Sequence, residues 1–219
     1  MLTSERPLLD ITIVTAAHPA RLRNGMLEQA MHSVYKQTMP PSAISIAIDW
    51  DGDGAAATRH RALLAARTEW VAILDSDDLF LPKHLEWLSN HQLETGADFC
   101  YSWFKVMQQF PDGRTNILEE DPIFPVTHYL NPFDPANPIE TTSTILVRTD
   151  LAQEIGYAAL DRGHDINSGE DRRFTLLAIE KGAHISHLVR KSWLYRHHQL
   201  LNGKPGNSSG LPIKGDAAL

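Results

Sequence analysis

The first half of the chain alternates between short aliphatic, β-branched runs and segments of helical periodicity, and this alternation constrains the fold most strongly. Strand-like and helical patterns follow one another at about residues 11–14, 22–37, 44–48, 55–67, 70–74 and 82–95. Such an order places successive strands in parallel and joins them by right-handed helical crossovers. The sequence therefore predicts an α/β fold with a mostly parallel central sheet flanked by helices.

The second half has a different pattern, which predicts a smaller additional sheet region. The predicted elements are strands at 98–110, 114–118 and 143–147, a short helix after Asp150, a helix at 170–181, and short strands at 184–188 and 192–195. Residues 119–138 contain five prolines and predict a long loop that serves as a lid or platform. We expect one domain over residues 1–200, followed by a flexible tail at 201–219.

The composition excludes several classes of protein. A net charge of −7 disfavours binding to a nucleic-acid backbone. The single cysteine, Cys100, cannot form an intramolecular disulfide and indicates a reducing compartment. No apolar window is long enough to span a membrane, and the N-terminus lacks a signal pattern. We therefore expect a soluble, cytoplasmic protein.

Three carboxylates follow the most apolar of the predicted strands, in the segment Asp75-Ser76-Asp77-Asp78. Ligands of open α/β sheets gather at the carboxyl ends of strands. Crowded carboxylates repel one another unless a positive group joins them, and Mn²⁺ or Mg²⁺ prefers such oxygen ligands. A cation held there could bridge a nucleotide diphosphate and neutralise a leaving phosphate. The alternative is a capping cluster for the next helix, for which Asp78 alone would suffice.

Two further acidic pairs adjoin predicted secondary structure. Asp49 and Asp51 follow the second strand, where either carboxylate could accept a hydrogen bond from a base or ribose. The alternative for this pair is a solvated acidic turn. Glu170 and Asp171 open a predicted helix, where the helix dipole favours acidic residues. A carboxylate at that position could instead act as general base toward an acceptor hydroxyl.

The last cluster is the run Tyr-Arg-His-His at residues 195–198. A neutral imidazole is a good metal ligand, and arginine is a good phosphate partner. His197 or His198 could therefore complete a metal shell begun by Asp77. The alternative is a polar edge strand that runs into the tail.

Eight short motifs occur in a recognisable order and spacing along about residues 10–198. In chain order they are residues 11–15, 33–38, 49–51, 58–63, 69–78, 142–148, 169–171 and 195–198. Each is weak alone, but together they resemble the GT-A glycosyltransferases, and specifically the family-2-like group of inverting nucleotide-sugar transferases. The resemblance implies a GT-A fold over the whole of this region.

The resemblance also implies a role for each matching residue. It implies that Asp77 binds the metal directly, while Asp75 faces the ribose and a metal-bound water. Asp171 would be the catalytic base, with Glu170 beside it near the acceptor. His197 or His198 would be a late ligand near the metal. The implied nucleotide-sugar pocket consists of Thr15, Ala16, Asp49 or Asp51, Arg59, Asp75 and Ser76.

The activity implied by the resemblance is inverting transfer of a sugar from a nucleotide-diphosphate donor, with a UDP-sugar as first choice, to an acceptor hydroxyl. The cofactor would be Mn²⁺ or Mg²⁺. Residues 8–104 would bind the nucleotide sugar, and residues 105–200 would supply the acceptor side and the catalytic base.

Other readings of the same residues stay open. One alternative is a catalytically inactive GT-A module that binds a sugar nucleotide or a glycan. Nucleotidyl transfer is disfavoured because residues 15–19 offer no Gly-rich phosphate loop. The acceptor, whether a glycan, a protein or a small molecule, and self-association are not determined by the sequence.

Overall fold

A single twisted sheet organises the described part of the molecule. The computed structural model describes residues 9–110, 112–118, 130, 132–135, 144–157 and 170–198. Its eight strands are β1 (Ile11–Ala17), β2 (Ala43–Ile48), β3 (Trp70–Ile73), β4 (Leu79–Phe80), β5 (Phe99–Gln109), β6 (Thr115–Leu118), β7 (Ile145–Arg148) and β8 (Ile185–His198). They form one sheet in the order β2-β1-β3-β7-β5-β8-β4, with β6 paired to β5.

Strand direction places the carboxyl ends of the main strands along one edge. Strand β1 runs parallel to β2 and β3, and β5 runs parallel to β8. Strand β7 is antiparallel to both β3 and β5, so β2, β1, β3, β5 and β8 all point the same way. The predicted α/β fold with a mostly parallel sheet is confirmed, and side chains that follow these strands meet at one edge.

Helices cover both faces of the sheet. They are α1 (Pro19–Arg23), α2 (Met26–Tyr35), α3 (Ala55–Leu64), α4 (His84–Thr95), α5 (Thr149–Ile155) and α6 (Glu170–Glu180). Because strand side chains alternate between faces, Trp70 and Ala72 pack with α2 and α4, whereas Val71 and Ile73 pack with α3, α5 and α6. Two apolar layers therefore enclose the sheet.

Three predicted elements needed correction. The single helix expected at 22–37 is two helices, separated at Gly25, whose φ of 75° is left-handed. Leu22, expected on the inner face, is 42% exposed as a result. The two short strands expected at 184–188 and 192–195 are one strand, β8, which absorbs an irregular register opposite Ser102 and Trp103. The two-residue strand β4 was not predicted.

Some predictions concern residues outside those described. These are the tail at 201–219, Gly169, most of the loop at 119–138, and the side chain of His198. The division into halves at residue 104 and the platform role of the loop stay predictions. Among the described residues, no helix has the length and apolarity that crossing a bilayer requires.

Candidate active site

The acidic turn after β3 lies at the carboxyl edge of the sheet, as the sequence predicts. Leu74 continues the strand pairing by donating its backbone N–H to the carbonyl of Val14 at 3.1 Å. The chain then turns, and the N–H of Asp78 donates to the carbonyl of Asp75 at 3.1 Å. This turn separates the three carboxylates, and each one has a different arginine nearby.

Arg59 connects the acidic turn to the acidic start of α6. Its Nη2 donates to Asp75 Oδ1 at 2.6 Å, and its Nη1 donates to Glu170 Oε1 at 2.6 Å and to Asp171 Oδ1 at 3.5 Å. Helix α3 presents Arg59 on its buried face, so only 4% of the side chain is exposed. One guanidinium thus holds together carboxylates that are about a hundred residues apart in sequence.

Electrostatics keep Arg59 charged in this buried position. Burial opposes the charge, but the surrounding Asp75, Asp171 and Glu170 carboxylates raise the pKa of Arg59 well above its ordinary value. The guanidinium also lies over the ring of Tyr157, 5.1 Å from its centroid. Burial raises the pKa of Tyr157, so this ring stays neutral beneath the cation.

Tyr157 also positions α6. Its ring stacks on Phe174 with centroids 4.6 Å apart and an interplanar angle of 8°. Phe174 lies on the buried face of α6, one turn after Asp171. The stacking therefore fixes the first turn of the helix, and with it the Glu170 and Asp171 carboxylates, against Arg59.

A second arginine contacts Asp77. Arg21 Nη2 lies 2.7 Å from Asp77 Oδ2, and the two side chains are 4% and 16% exposed. Arg21 comes from α1, the short helix directly after β1, whose first turn is capped by the imidazole of His18. The sequence alone does not predict this pair, because nothing in the local pattern around Arg21 indicates a partner 56 residues away.

A third arginine braces the turn from β8. Arg196 donates its backbone N–H to Asp78 Oδ1 at 2.8 Å and its Nε to the carbonyl of Asp77 at 2.6 Å. Its two terminal nitrogens donate to the side-chain oxygens of Gln109 and Gln29. Burial, reinforced by the charges of Asp77 and Asp75, raises the pKa of Asp78. The side chain of Asp78 therefore stabilises the turn and is not a candidate for binding a ligand.

Comparison with known proteins shows the family to which the chain belongs. The family model for glycosyl transferase family 2 matches residues 27–156, which is more than half of the chain. The chain belongs to glycosyl transferase family 2. The matched region of this family 2 protein includes α3 with Arg59 and the whole acidic turn, whereas Arg21, Arg196 and the acidic start of α6 lie outside it.

Individual relatives agree with the family assignment. A stretch of 71 residues is 38% identical to an uncharacterized glycosyltransferase of Methanocaldococcus jannaschii, covering 31% of this chain and 22% of that protein. The fold is similar to S. aureus TarS 1–349 in complex with UDP-GlcNAc, with a TM-score of 0.64 at 18% identity over 94% of this chain and 62% of that chain. The TarS 1–349 complex with UDP gives 0.63 at 17% identity, over 86% and 60%.

The similarity covers only part of each related protein. The family 2 chain spans about three fifths of the TarS 1–349 chain and about a fifth of the Methanocaldococcus protein. At such low identity the TarS structures show the fold alone, and they confirm the predicted GT-A fold.

The predicted nucleoside residues of this family 2 protein are located at the ends of β1 and β2. Thr15 is fully buried, and its hydroxyl has no hydrogen-bond partner in the described part of the chain. Asp49 accepts the backbone N–H groups of Asp53 at 2.8 Å and Gly54 at 3.1 Å, so it orders the turn before α3. Asp51 is exposed to solvent. Their contacts with a nucleoside stay predictions.

The donor set of the acidic turn fits a divalent cation. Asp75 and Asp77 offer carboxylate oxygens on one turn, with side chains 28% and 16% exposed, and such oxygens suit Mg²⁺ or Mn²⁺. In the described ranges, no group of three or more His, Cys, Asp or Glu side chains is arranged to hold a metal ion. A cation here would need water and phosphate oxygens as its remaining ligands.

The two histidines at the end of β8, His197 and His198, were predicted to lie near the metal. His197 is partly buried on β8, and Arg196 is the neighbouring residue whose side chain contacts the acidic turn. The metal-ligand role of His197 and His198 stays a prediction. The structure thus brings together Asp75, Asp77, Arg59, Glu170 and Asp171, and it adds Arg21, Tyr157 and Arg196 to them.

Proposed function

We propose that the chain catalyses inverting transfer of a sugar from a nucleotide-diphosphate donor, a UDP-sugar in the first instance, to an acceptor hydroxyl. The observation that carries the proposal is the position of Arg59, which ties Asp75 of the acidic turn to Glu170 and Asp171 of α6. Leaving-group chemistry and proton removal need separate carboxylates within one site. Arg59 is the residue that holds both sets in place.

The base role of Asp171 is supported by its exposure and its weaker contact. Asp171 is 34% exposed and 3.5 Å from Arg59, whereas Glu170 is 23% exposed and forms the 2.6 Å ion pair. Glu170 therefore makes the shorter ion pair with Arg59, and Asp171 is the more accessible of the two carboxylates to an incoming hydroxyl. We assign Asp171 as the general base and Glu170 as the residue that positions Arg59 beside it.

The reaction follows from these roles in one displacement. Asp171 takes the proton of the acceptor hydroxyl while the hydroxyl oxygen attacks the anomeric carbon. The bond between that carbon and the diphosphate oxygen breaks on the opposite face, which inverts the anomeric configuration. The nucleoside diphosphate leaves with the bonding electron pair and the negative charge that this pair carries.

Asp77 and Asp75 would hold Mn²⁺ or Mg²⁺, which when bound neutralises the charge of the leaving diphosphate. Arg21 and Arg196 add two fixed positive charges beside the same turn. Preorganised charges of this kind stabilise a developing anion without reorganising during the reaction. The arrangement favours a diphosphate leaving group for this reason.

The choice of UDP is supported by the fold neighbours, since TarS 1–349 has been crystallised with UDP and with UDP-GlcNAc. The test is a panel of UDP-, GDP- and dTDP-sugars with Mn²⁺ or Mg²⁺, followed by release of the nucleoside diphosphate and by the configuration of the product. We expect UDP release with at least one UDP-sugar.

The variant Asp171→Asn separates catalysis from binding. Because it removes the proton acceptor and keeps the side-chain shape, turnover should fall by about 10²-fold or more. UDP affinity should stay within about threefold of wild type, since the base acts only in the transition state.

The matched control is Asp150→Asn on α5, which neutralises a 66% exposed carboxylate beside the start of β3, at the opposite edge of the sheet. It should leave both turnover and UDP affinity unchanged. Full turnover by Asp171→Asn would refute the base assignment. UDP binding without turnover on any donor would instead favour the inactive binding module.

A further inference from the structure

Arg21 is a buried cation whose carboxylate partner is also a proposed metal ligand. Its side chain is 4% exposed, and Asp77 is the carboxylate with which the structure pairs it, at 2.7 Å. Its other terminal nitrogen lies 3.1 Å from the sulfur of Met26, a weak acceptor. A buried guanidinium is costly unless a carboxylate neutralises it. Asp77 therefore supplies the charge that allows Arg21 to be buried.

This pairing conflicts with cation binding at the same carboxylate. In the proposed function Asp77 is, with Asp75, a ligand of Mn²⁺ or Mg²⁺, yet its Oδ2 is already in contact with Arg21. A dication and a guanidinium on one carboxylate repel each other, and one negative charge cannot neutralise both. Arg196, held at the backbone carbonyl of Asp77, adds further positive charge. A cation without a nucleotide is therefore disfavoured at this turn.

A nucleotide diphosphate removes the conflict because it brings the missing negative charge. We propose that Arg21 is a positioning residue that occupies Asp77 until the diphosphate is present, and so couples cation binding to donor binding. This inference rests on the proposed metal role of Asp77. The quantity to measure is the coupling free energy between the cation and the nucleotide diphosphate. This free energy must be the same whichever of the two is added first.

The coupling is measured by the affinity for Mn²⁺ with and without UDP. Free Mn²⁺ is followed by electron paramagnetic resonance, with a correction for the Mn²⁺–UDP complex in solution. Arg21→Met keeps an unbranched apolar stem and removes the charge that competes for Asp77. We expect the Mn²⁺ affinity without UDP to rise by about tenfold. The ratio of the Mn²⁺ affinity with UDP to that without UDP should fall by a similar factor.

Two variants make the test secure. Arg21→Gln is also neutral but polar, and it serves the same purpose if the methionine variant does not fold. The matched control is Arg23→Met, which removes an exposed arginine from the same short helix and should leave both affinities unchanged. Thermal melting confirms that each variant is folded before titration.

The outcomes separate this inference from the proposed function. A purely structural role for Arg21 would lower both affinities together and leave their ratio unchanged, which would overturn the inference. So would neutral variants that bind Mn²⁺ no more tightly than wild type without UDP. If Asp77→Asn does not weaken Mn²⁺ binding, the metal role itself fails. If Asp77→Asn weakens it and the Arg21 variants keep the wild-type ratio, only the coupling role fails.

Discussion

Replacing Arg59 with methionine tests the residue on which the site depends. The change removes a guanidinium that is 4% exposed and leaves Asp75, Glu170 and Asp171 without their shared counter-ion. Breaking a buried ion pair by removing one partner costs about 3–5 kcal/mol. The three carboxylates are between 23% and 34% exposed, so solvent screens part of their repulsion. We therefore expect the lower end, about 3 kcal/mol.

For a chain of this length, 1 kcal/mol corresponds to about 2–4 °C in Tm, so Arg59→Met should melt about 6–12 °C below wild type. The assay is thermal and urea unfolding followed by circular dichroism. The control is Arg61→Met on the same helix, which removes a 41% exposed arginine paired with the 47% exposed Asp53. An exposed pair of this kind contributes less than about 1 kcal/mol.

A double-mutant cycle identifies the cause of the loss. If Arg59→Met destabilises because Asp75 is left uncompensated, adding Asp75→Asn should restore part of the stability, with a coupling energy of about 1–3 kcal/mol. Equal Tm values for Arg59→Met and Arg61→Met would refute a stabilising role for the buried ion pairs of Arg59. The explanation through Asp75 is refuted if the effects of Arg59→Met and Asp75→Asn simply add.

Two further predictions concern buried titratable groups. Because burial raises the pKa of Asp78, the folded state binds its proton more tightly than the unfolded state, and this contribution to stability is lost as pH rises above about 4. Asp78→Asn should therefore gain stability relative to wild type as the pH rises above about 4 in urea titrations, and a gain that shrinks as the pH rises would contradict this. Burial raises the pKa of Cys100 to about 12 and also shields the thiol from the reagent, so Ellman's reagent at pH 8 should label the native thiol at least about 10³-fold more slowly than the thiol in urea. Equal labelling rates in the two states would refute this prediction.

Local patterns predicted the first half of the fold well. Strands β1 and β3 consist of apolar or β-branched residues on both faces, because helices cover both sides of the sheet, and this produces readable apolar runs. Helix α2 was placed correctly apart from its start. The break at Gly25 was missed because the apolar spacing of Leu22 fits either one helix or two.

Elements defined by distant partners were harder to predict. Strand β4 has two residues and exists because Leu79 and Phe80 pair with Leu194 and Trp193, more than a hundred residues later. The continuity of β8 depends on a bulged register against β5, which leaves no local signal. Periodicity cannot reveal either feature, since both are set by tertiary pairing.

The site shows the same division. Carboxylates that follow strands or open helices could be found from their position, and Asp75, Glu170 and Asp171 do meet at Arg59. Arg21 could not be found in this way, because it lies on a five-residue helix whose local pattern indicates no partner. Arg196 was noted as a phosphate partner in the run at 195–198, but its contacts with Asp77 and Asp78 are set by the fold. Only the fold makes both arginines buried partners of the acidic turn.

The most direct test of the central claim is a crystal soaked with UDP and Mn²⁺, measured at a wavelength where manganese scatters anomalously. We expect an anomalous peak at about 2.0–2.3 Å from a carboxylate oxygen of Asp77, in contact with the diphosphate, with Asp171 facing the bound nucleotide. UDP bound at another surface, such as the groove between Thr68 and Gln153 at the opposite edge of the sheet, would contradict it. So would a diphosphate at the acidic turn with no metal contact to Asp77.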